Sequence, residues 1–169
     1  MSKITVKDKS FEVDISAATI QQRLDILAQQ MNADLAGKTP FFVVVLNGAF
    51  LFAADIFRRL TMDCEIGFIR VSSYEGTQST GQIRSLMGLN KDIKDRVVVV
   101  LEDIVDTGHT AMYLVEELRK SNPAEIRFAT MLLKPAALQH PFKPDYVGFE
   151  RSEEHTSELQ SHSFISYAV

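Results

Sequence analysis

Three carboxylates fall within five residues of one another, at Glu102, Asp103 and Asp106. They follow four valines and a leucine at 97–101, a β-branched run that is typical of a strand buried on both faces of a parallel sheet. Open α/β sheets bind their ligands at the carboxyl ends of such strands. Like charges this close repel one another unless a positive group lies among them. The acids therefore predict a ligand site that contains a positive group.

Residues 106–110, Asp-Thr-Gly-His-Thr, connect the acids to a predicted amphipathic helix that starts near Ala111. This connection offers backbone N–H groups, two hydroxyls and a glycine that permits positive φ. Such a combination is typical of a phosphate cradle at the positive end of a helix. Without the acids, a solvated turn with an Asp or Thr N-cap would fit equally well. The stretch contains neither a Walker A sequence nor a GxGxxG turn.

Four other stretches place polar residues at the ends of predicted strands or in loops. They are LNGAF at 46–50, SSYEGTQSTG at 72–81, MLLKP at 131–135 and KPDYVGFE at 143–150. Together with VVVVLEDIVDTGHT they resemble the motifs of the type I phosphoribosyltransferases, and those of the hypoxanthine-guanine branch in particular. The resemblance covers nearly all of residues 1–150 and keeps the family's order.

The resemblance implies an α/β protein with the type I phosphoribosyltransferase fold, in which helices flank a central, mostly parallel sheet. The implied activity is purine salvage. Hypoxanthine, and guanine as well, would react with 5-phosphoribosyl pyrophosphate (PRPP) to give IMP or GMP plus pyrophosphate. The implied cofactor is Mg²⁺, held by the diphosphate together with Glu102 and Asp103, because hard oxygen ligands suit this ion. Family habit also implies a homodimer or homotetramer.

The same resemblance assigns roles to the acidic stretch and the turn that follows it. Glu102 and Asp103 would accept hydrogen bonds from the ribose hydroxyls, directly or through the metal. Asp106 is the candidate general base, or hydrogen-bond partner, at N7 of the purine. The 5′-phosphate is expected on the residues that complete the turn, namely Thr107, Gly108, His109 and Thr110.

The pyrophosphate of PRPP is expected on a loop formed by Leu46, Asn47 and Gly48. The resemblance implies a cis peptide bond between Leu46 and Asn47, with main-chain N–H groups that face the substrate. Many family members carry lysine where this chain has Asn47, so the loop here lacks one positive charge. From the residues alone, Asn-Gly is also a common turn dipeptide.

Two further assignments concern a loop and a lysine. The polar, glycine-rich segment 72–87 is predicted to be a loop, and the resemblance makes it a lid over the pyrophosphate, with Ser73 and Tyr74 at its hinge side. A linker would have a similar composition.

Lys134 ends a predicted strand, where a lysine is usually just solvated. The resemblance directs it at the exocyclic oxygen of a 6-oxopurine, which would select hypoxanthine or guanine over adenine.

The chain departs from the family pattern at Arg151. The expected continuation would bring the strand that covers the purine and reads its edge. Instead, residues 151–169 are polar for most of their length and show no strand periodicity. Their start also matches an in-frame translation of a widely used sequencing adapter. We therefore predict a phosphoribosyltransferase domain over 1–150, truncated before that strand, and an artefactual tail over 151–169.

The composition excludes several other classes of function. The net charge is −4, so no general attraction to nucleic acid or to an anionic membrane is expected. The single cysteine excludes an internal disulfide, and no apolar run is long enough to span a membrane, so a cytoplasmic location is predicted. Two rival interpretations stay open at this point. The chain could be a PRPP-sensing regulatory protein of the same fold, or an inactive truncated fragment.

The pattern of apolar residues also predicts the elements around these motifs. They are a hairpin or edge strand within 3–15, a helix over 17–35 capped by Ser16 and ended by Gly37, a helix over 49–60, and strands at 41–46, 64–71, 97–101, 125–133 and 146–149. In the second helix Phe50, Ala53, Ala54 and Phe57 are expected to face the core.

Overall fold

The computed structural model describes residues 3–6, 9–12, 14–73, 83–87 and 91–151. Its elements, in chain order, are β1 (Lys3–Val6), β2 (Lys9–Glu12), α1 (Ala17–Asp34), β3 (Phe41–Leu46), α2 (Phe50–Phe57), β4 (Glu65–Ser73), β5 (Ile83–Met87), β6 (Val97–Val105), α3 (His109–Arg119), β7 (Glu125–Leu133) and β8 (Tyr146–Glu150). A short 3₁₀ turn, Pro135–Ala137, follows β7.

The main sheet has six strands in the order β5-β4-β3-β6-β7-β8. Strands β4, β3, β6, β7 and β8 are parallel, whereas β5 pairs antiparallel with β4 at one edge. The predicted mostly parallel α/β architecture is confirmed. Strands β1 and β2 form a separate antiparallel hairpin, as expected for the first residues.

The core has two layers because β3 and β6 are apolar on both faces. On one face, Phe42 and Val44 pack with buried residues of α1 and α2. On the other face, Phe41 and Val43 pack with buried residues of α3. The continuous valine-rich composition of these strands is the pattern expected for central parallel strands. Burial on both sides holds the carboxyl ends of β3 and β6 in a fixed position.

Strand β6 is longer than its predicted range. It extends to Val105 because Glu102, Ile104 and Val105 continue the parallel ladder with β7. Glu102 and Asp103 therefore lie on the strand itself, instead of in the connection beyond it. The backbone pairing with β7 holds these acids more firmly than a loop would.

Helix α2 differs from its prediction in length and in orientation. It spans Phe50–Phe57, and its buried face is formed by Phe52, Ala53 and Ile56. The inward orientation expected for Phe50 is wrong, since 54% of this residue is exposed. Phe50 is the first residue of the helix and lies about a quarter-turn from the buried stripe. Ala53 faces the core as predicted.

Two other boundaries were predicted incorrectly. Residues 83–87 belong to strand β5 instead of a loop, because their backbone pairs with the end of β4. Helix α1 ends at Asp34, and Gly37 lies in the following turn with a φ of 72°. The predicted N-cap is confirmed, since the Ser16 hydroxyl accepts from the Thr19 N–H at 3.1 Å. None of the described helices is both long enough and apolar enough to cross a membrane.

Candidate active site

The candidate residues gather where the central parallel strands end. The loop at 46–48 follows β3, the turn at 106–110 follows β6, and Lys134 follows β7. Because β3, β6 and β7 are neighbours and run in the same direction, these three connections lie at one edge of the sheet. The fold thus brings together residues that are up to 88 positions apart, from Leu46 to Lys134.

A cavity of about 260 Å³ lies over the end of β6. Its lining residues all come from the end of this strand, the turn and the first residues of α3. They are Glu102, Asp103, Ile104, Val105, Asp106, Thr107, Gly108, Thr110 and Ala111. Most of the residues predicted to bind the sugar and the phosphate therefore face one space.

The two adjacent acids have different surroundings. Glu102 is only 8% exposed and accepts a hydrogen bond from the Asp103 N–H at 3.2 Å. Burial raises the pKa of Glu102 well above its ordinary value, and the neighbouring Asp103 side chain raises it further. Asp103 is half-buried, and its Oδ1 accepts from the Ile104 N–H at 2.9 Å. A cation or a hydroxyl donor in the cavity would stabilise the charged form of this pair.

The loop after β3 lies directly against the acids. The Leu46–Asn47 peptide bond is cis, as the resemblance implies. A Cβ added to Gly48 would lie 2.2 Å from Oδ2 of Asp103, so only glycine fits at this position without displacing the carboxylate. The predicted pyrophosphate loop and the predicted sugar-binding acids are therefore in contact.

Lys134 forms an ion pair with the predicted general base. Its Nζ lies 3.3 Å from Oδ2 of Asp106, and both side chains are about three-quarters buried. The Lys134 N–H also donates to the Val105 carbonyl at 2.9 Å, which places the end of β7 beside the turn. This lysine is a positive group beside one of the three acids, Asp106.

The turn itself combines a left-handed glycine with a hydroxyl held by a histidine. Gly108 has a φ of 84° and precedes the first residue of α3. Oγ1 of Thr107 lies 3.0 Å from Nδ1 of His109 and 3.5 Å from the His109 backbone nitrogen. Thr110, in the first turn of α3, lines the cavity. The backbone N–H groups at this helix N-terminus suit an anion.

The connection between β7 and β8 supports this turn, and sequence reasoning did not find it. The Gln139 N–H donates to the Thr107 carbonyl at 3.0 Å. The ring of His140 packs edge-to-face on the ring of His109, with centroids 4.7 Å apart. A Cβ on Gly108 would lie 3.3 Å from a methyl group of Leu138. The signal available in the sequence is the proline-bounded segment 135–144, whose length suggests an ordered loop.

The lid prediction falls largely on residues that the structure does not describe. Ser73 is the last residue of β4, and its backbone pairs with Ile83. Tyr74 lies outside the described residues. The hinge assignment therefore stays a prediction.

The two adjacent carboxylates fit the metal that the resemblance implies. In the described part of the chain, no three His, Cys, Asp or Glu side chains lie close enough together to hold an ion by themselves. Mg²⁺ commonly uses one or two protein carboxylates and completes its octahedron with water and substrate phosphate. A buried Glu102 beside Asp103 matches such a partial donor set.

The family model for the phosphoribosyl transferase domain matches residues 16–162. The chain therefore belongs to this family. It is 34% identical over 140 residues to the hypoxanthine-guanine phosphoribosyltransferase of Bacillus subtilis, covering 82% of this chain and 78% of that one. It is 36% identical over 143 residues to the Mycobacterium tuberculosis protein of the same name, covering 80% of this chain and 71% of that one.

Solved structures show the same relationship. A Staphylococcus aureus hypoxanthine phosphoribosyltransferase superposes with a TM-score of 0.80 and 31% identity, covering 85% of this chain and 78% of that chain. A hypoxanthine-guanine phosphoribosyltransferase from Bacillus anthracis gives a TM-score of 0.79 and 34% identity, with 83% and 84% covered. The bifunctional protein TilS/HprT of Listeria innocua is 35% identical over 139 residues, but the chain spans only 22% of its length.

Proposed function

We propose that this protein transfers a 5-phosphoribosyl group from PRPP to hypoxanthine, and to guanine, releasing pyrophosphate and forming IMP or GMP. One observation carries the proposal. The cis loop after β3, the acids and turn after β6 and the lysine after β7 meet at one edge of the sheet. The relatives named above carry the same activity in their names, which supports this assignment.

The phosphate groups of PRPP would be bound at two places. The turn at 107–110 would hold the 5′-phosphate with its backbone N–H groups and threonine hydroxyls. The main chain at Asn47 and Gly48 would hold the pyrophosphate. Glu102 and Asp103 would accept the ribose hydroxyls between these two places, since they line the cavity beside the turn and Asp103 contacts Gly48.

Mg²⁺ is the proposed cofactor, and Glu102 and Asp103 are the residues that would hold it. The bound ion would neutralise charge on the diphosphate as this group departs. The carboxylates of this chain would supply fixed, partly desolvated oxygens for the ion. Because Glu102 is buried and Asp103 is partly buried, a cation would interact more strongly with their carboxylates than it would in bulk water.

The base would be bound by the ion pair at the end of β7. We propose that Asp106 accepts the proton from N7 as N9 attacks the sugar. Lys134 would donate to the exocyclic oxygen of the purine, which adenine lacks. Both side chains already face each other, so the purine must enter beside or between them.

A phosphoribosyltransferase assay with PRPP, Mg²⁺ and hypoxanthine, guanine or adenine tests the proposal. We expect turnover of the two 6-oxopurines and none of adenine. Asp106→Asn keeps the shape of the side chain and should lower kcat by about 10²–10⁴-fold, since it removes the base. Undiminished turnover in this variant would contradict the role of Asp106.

The same assay separates the rival functions. A PRPP sensor would gain thermal stability with PRPP and Mg²⁺ but would not form nucleotide. An inactive fragment would show neither effect. No turnover of either 6-oxopurine would overturn the proposed function, and the shift in Tm would then distinguish the sensor from the inactive fragment.

We also propose that residues 151–169 are an artefactual tail on a domain that occupies 1–150. The family match extends to residue 162, into this segment. The test is to sequence the source locus with different adapters. An unbroken reading frame that encodes the same tail would contradict the proposal.

A cytoplasmic location is likewise proposed, and cell fractionation with an antibody against the chain would test it.

A further inference from the structure

The side chain of His109 contacts the hydroxyl of Thr107, a residue of the proposed phosphate-binding turn. Its Nδ1 lies 3.0 Å from Oγ1 of Thr107, and its own backbone nitrogen lies 3.5 Å from the same oxygen. The Thr107 carbonyl is also occupied, because it accepts from the Gln139 N–H at 3.0 Å. The position and the hydrogen bonding of Thr107 are therefore set from two sides.

A threonine hydroxyl has one proton and two lone pairs. If Nδ1 of His109 carries hydrogen, one lone pair of Oγ1 can accept from Nδ1–H and the other from the His109 backbone N–H. The hydroxyl proton then remains available for a ligand. If Nδ1 lacks hydrogen, the hydroxyl must donate to it and has no proton left for an anion. The protonation state of the imidazole thus decides whether the Thr107 hydroxyl can donate to a ligand or donates to Nδ1 of His109 instead.

We infer that His109 is a positioning residue, whose Nδ1–H holds the Thr107 hydroxyl as a donor toward a phosphomonoester. This inference rests on the proposed function, because the 5′-phosphate of the sugar is the ligand concerned. The imidazolium carries hydrogen on both ring nitrogens, whereas the neutral ring has it on Nδ1 in only one of two tautomers. Phosphate binding is therefore expected to tighten as the solution becomes more acidic.

Titratable groups also occur on the turn, on α3 and on the connection that packs against them. His140, on the β7–β8 connection, makes the ring contact at a centroid distance of 4.7 Å. Tyr113 lies one turn further along α3, and Asp106 at the start of the turn is paired with Lys134. Of these groups, His140 is the second imidazole, and its ring contacts the His109 ring directly. An experiment must therefore separate the two histidines.

The test compares wild type with His109→Asn in calorimetric titrations of ribose 5-phosphate between about pH 5.5 and about pH 8. Asparagine keeps a short N–H donor that does not titrate. The phosphate loses its second proton near pH 6, but this affects both proteins equally and cancels in the ratio of their Kd values. We expect the two proteins to bind alike at the acidic end, where both present an N–H to Thr107, and wild type to bind about five-fold more weakly at the basic end, where the neutral ring can lack hydrogen on Nδ1. A ratio that does not change with pH would overturn the inference.

Two more variants identify the responsible groups. His140→Phe keeps an aromatic ring against His109 and should retain the pH dependence. If His140→Phe abolishes the dependence instead, His140 is the titrating group and the inference is wrong. Thr107→Val removes the hydroxyl. The single variant Thr107→Val and the double variant Thr107→Val with His109→Asn should therefore bind ribose 5-phosphate with the same Kd.

The outcomes also separate this inference from the proposed function. If PRPP is turned over but ribose 5-phosphate does not bind at any pH, only the inference fails. If neither PRPP turnover nor ribose 5-phosphate binding occurs, the proposed function fails with it. Circular dichroism of each variant shows whether the chain is folded, so a weakened Kd can be attributed to the site.

Discussion

At the scale of single residues, the carboxylates of the site differ in the charge of their neighbours. Asp106 has a lysine partner, whereas Glu102 is buried beside another acid. The first arrangement stabilises a carboxylate, and the second destabilises one. The acid pair is therefore the part of the free protein that a cation or a sugar hydroxyl would stabilise most.

Glu102→Gln should stabilise the ligand-free protein at neutral pH by about 1 kcal/mol, because glutamine needs no charge in this buried position. The raised pKa of Glu102 means that the folded chain keeps a proton that the unfolded chain releases. The free energy of unfolding of the wild type should therefore fall as pH rises from the ordinary glutamate value of 4.5 toward the folded pKa.

Urea unfolding of the metal-free protein at about pH 4.5 and about pH 7.5 would measure this effect. In Glu102→Gln this component of the pH slope should be absent. Glu116→Gln on α3 is the matched control, because it makes the same replacement at an exposed glutamate. An identical slope in wild type and Glu102→Gln would contradict the prediction.

Gly48→Ala should impair PRPP binding more than folding. The new Cβ would lie 2.2 Å from Oδ2 of Asp103, so the carboxylate must move, and it can do so because it is the end of a flexible side chain. We expect KM for PRPP to rise about tenfold or more, with little change in Tm. Steady-state kinetics and thermal unfolding of the same sample check both parts. A large loss of Tm with unchanged KM would show that Gly48 serves folding alone.

At the scale of elements, the last strand depends on the first helix. Arg23 on α1 donates from Nε to the Gly148 carbonyl at 2.6 Å and from Nη2 to the Val147 carbonyl at 2.7 Å. Strand β8 pairs with β7 on one side only, within the described residues. Arg23 therefore satisfies carbonyl groups of an edge strand and connects α1 to it.

Arg23→Met should lower the free energy of unfolding by about 1–2 kcal/mol, since it keeps an unbranched apolar stem but leaves two part-buried carbonyls without their donor. Arg58→Met, directly after α2, is the control, because the Arg58 side chain is 73% exposed and its ion pair with Asp55 should contribute little. Midpoints of urea denaturation give the comparison. Equal losses in the two variants would argue against a specific role for Arg23.

At the scale of the whole molecule, the described surface includes large apolar side chains on α2 and β4. Phe50 is 54% exposed and Phe68 is 42% exposed. Phe68 lies beside Val44 in the parallel ladder, on the face of the sheet that α2 covers. We propose that this surface takes part in the homodimer or homotetramer that the resemblance implies.

Phe50→Ser and Phe68→Ser should therefore each weaken self-association by about tenfold, because interfaces depend on a few apolar anchors. Sedimentation velocity over a range of concentrations would measure the change. Ile26→Ser is a suitable control, since Ile26 is a similarly exposed apolar residue on α1. A wild type that is monomeric throughout, or an equal effect of the Ile26 variant, would refute the assignment.

The sequence by itself determined the motifs and most of the elements. The valine run predicted β6, the Asp-Thr-Gly-His-Thr turn predicted a left-handed glycine before α3, and the resemblance implied the cis bond before Asn47. The strand and the turn depend on residues that are adjacent in the chain, where periodicity and turn chemistry are local, whereas the cis bond was implied by the resemblance alone. The orientation of Phe50 and the strand at 83–87 could not be predicted in this way, because they depend on where α2 begins and on pairing with β4.

Only the tertiary structure decided which of these groups touch. Lys134 reaches Asp106 across 28 residues, Asp103 fills the space beside Gly48, and His140 packs on His109. Each contact joins two different connections, and its geometry follows from the register of the parallel strands and the packing of the loops. A local pattern carries no information on such distances, so the sequence suggested candidate residues for the site but not their pairing.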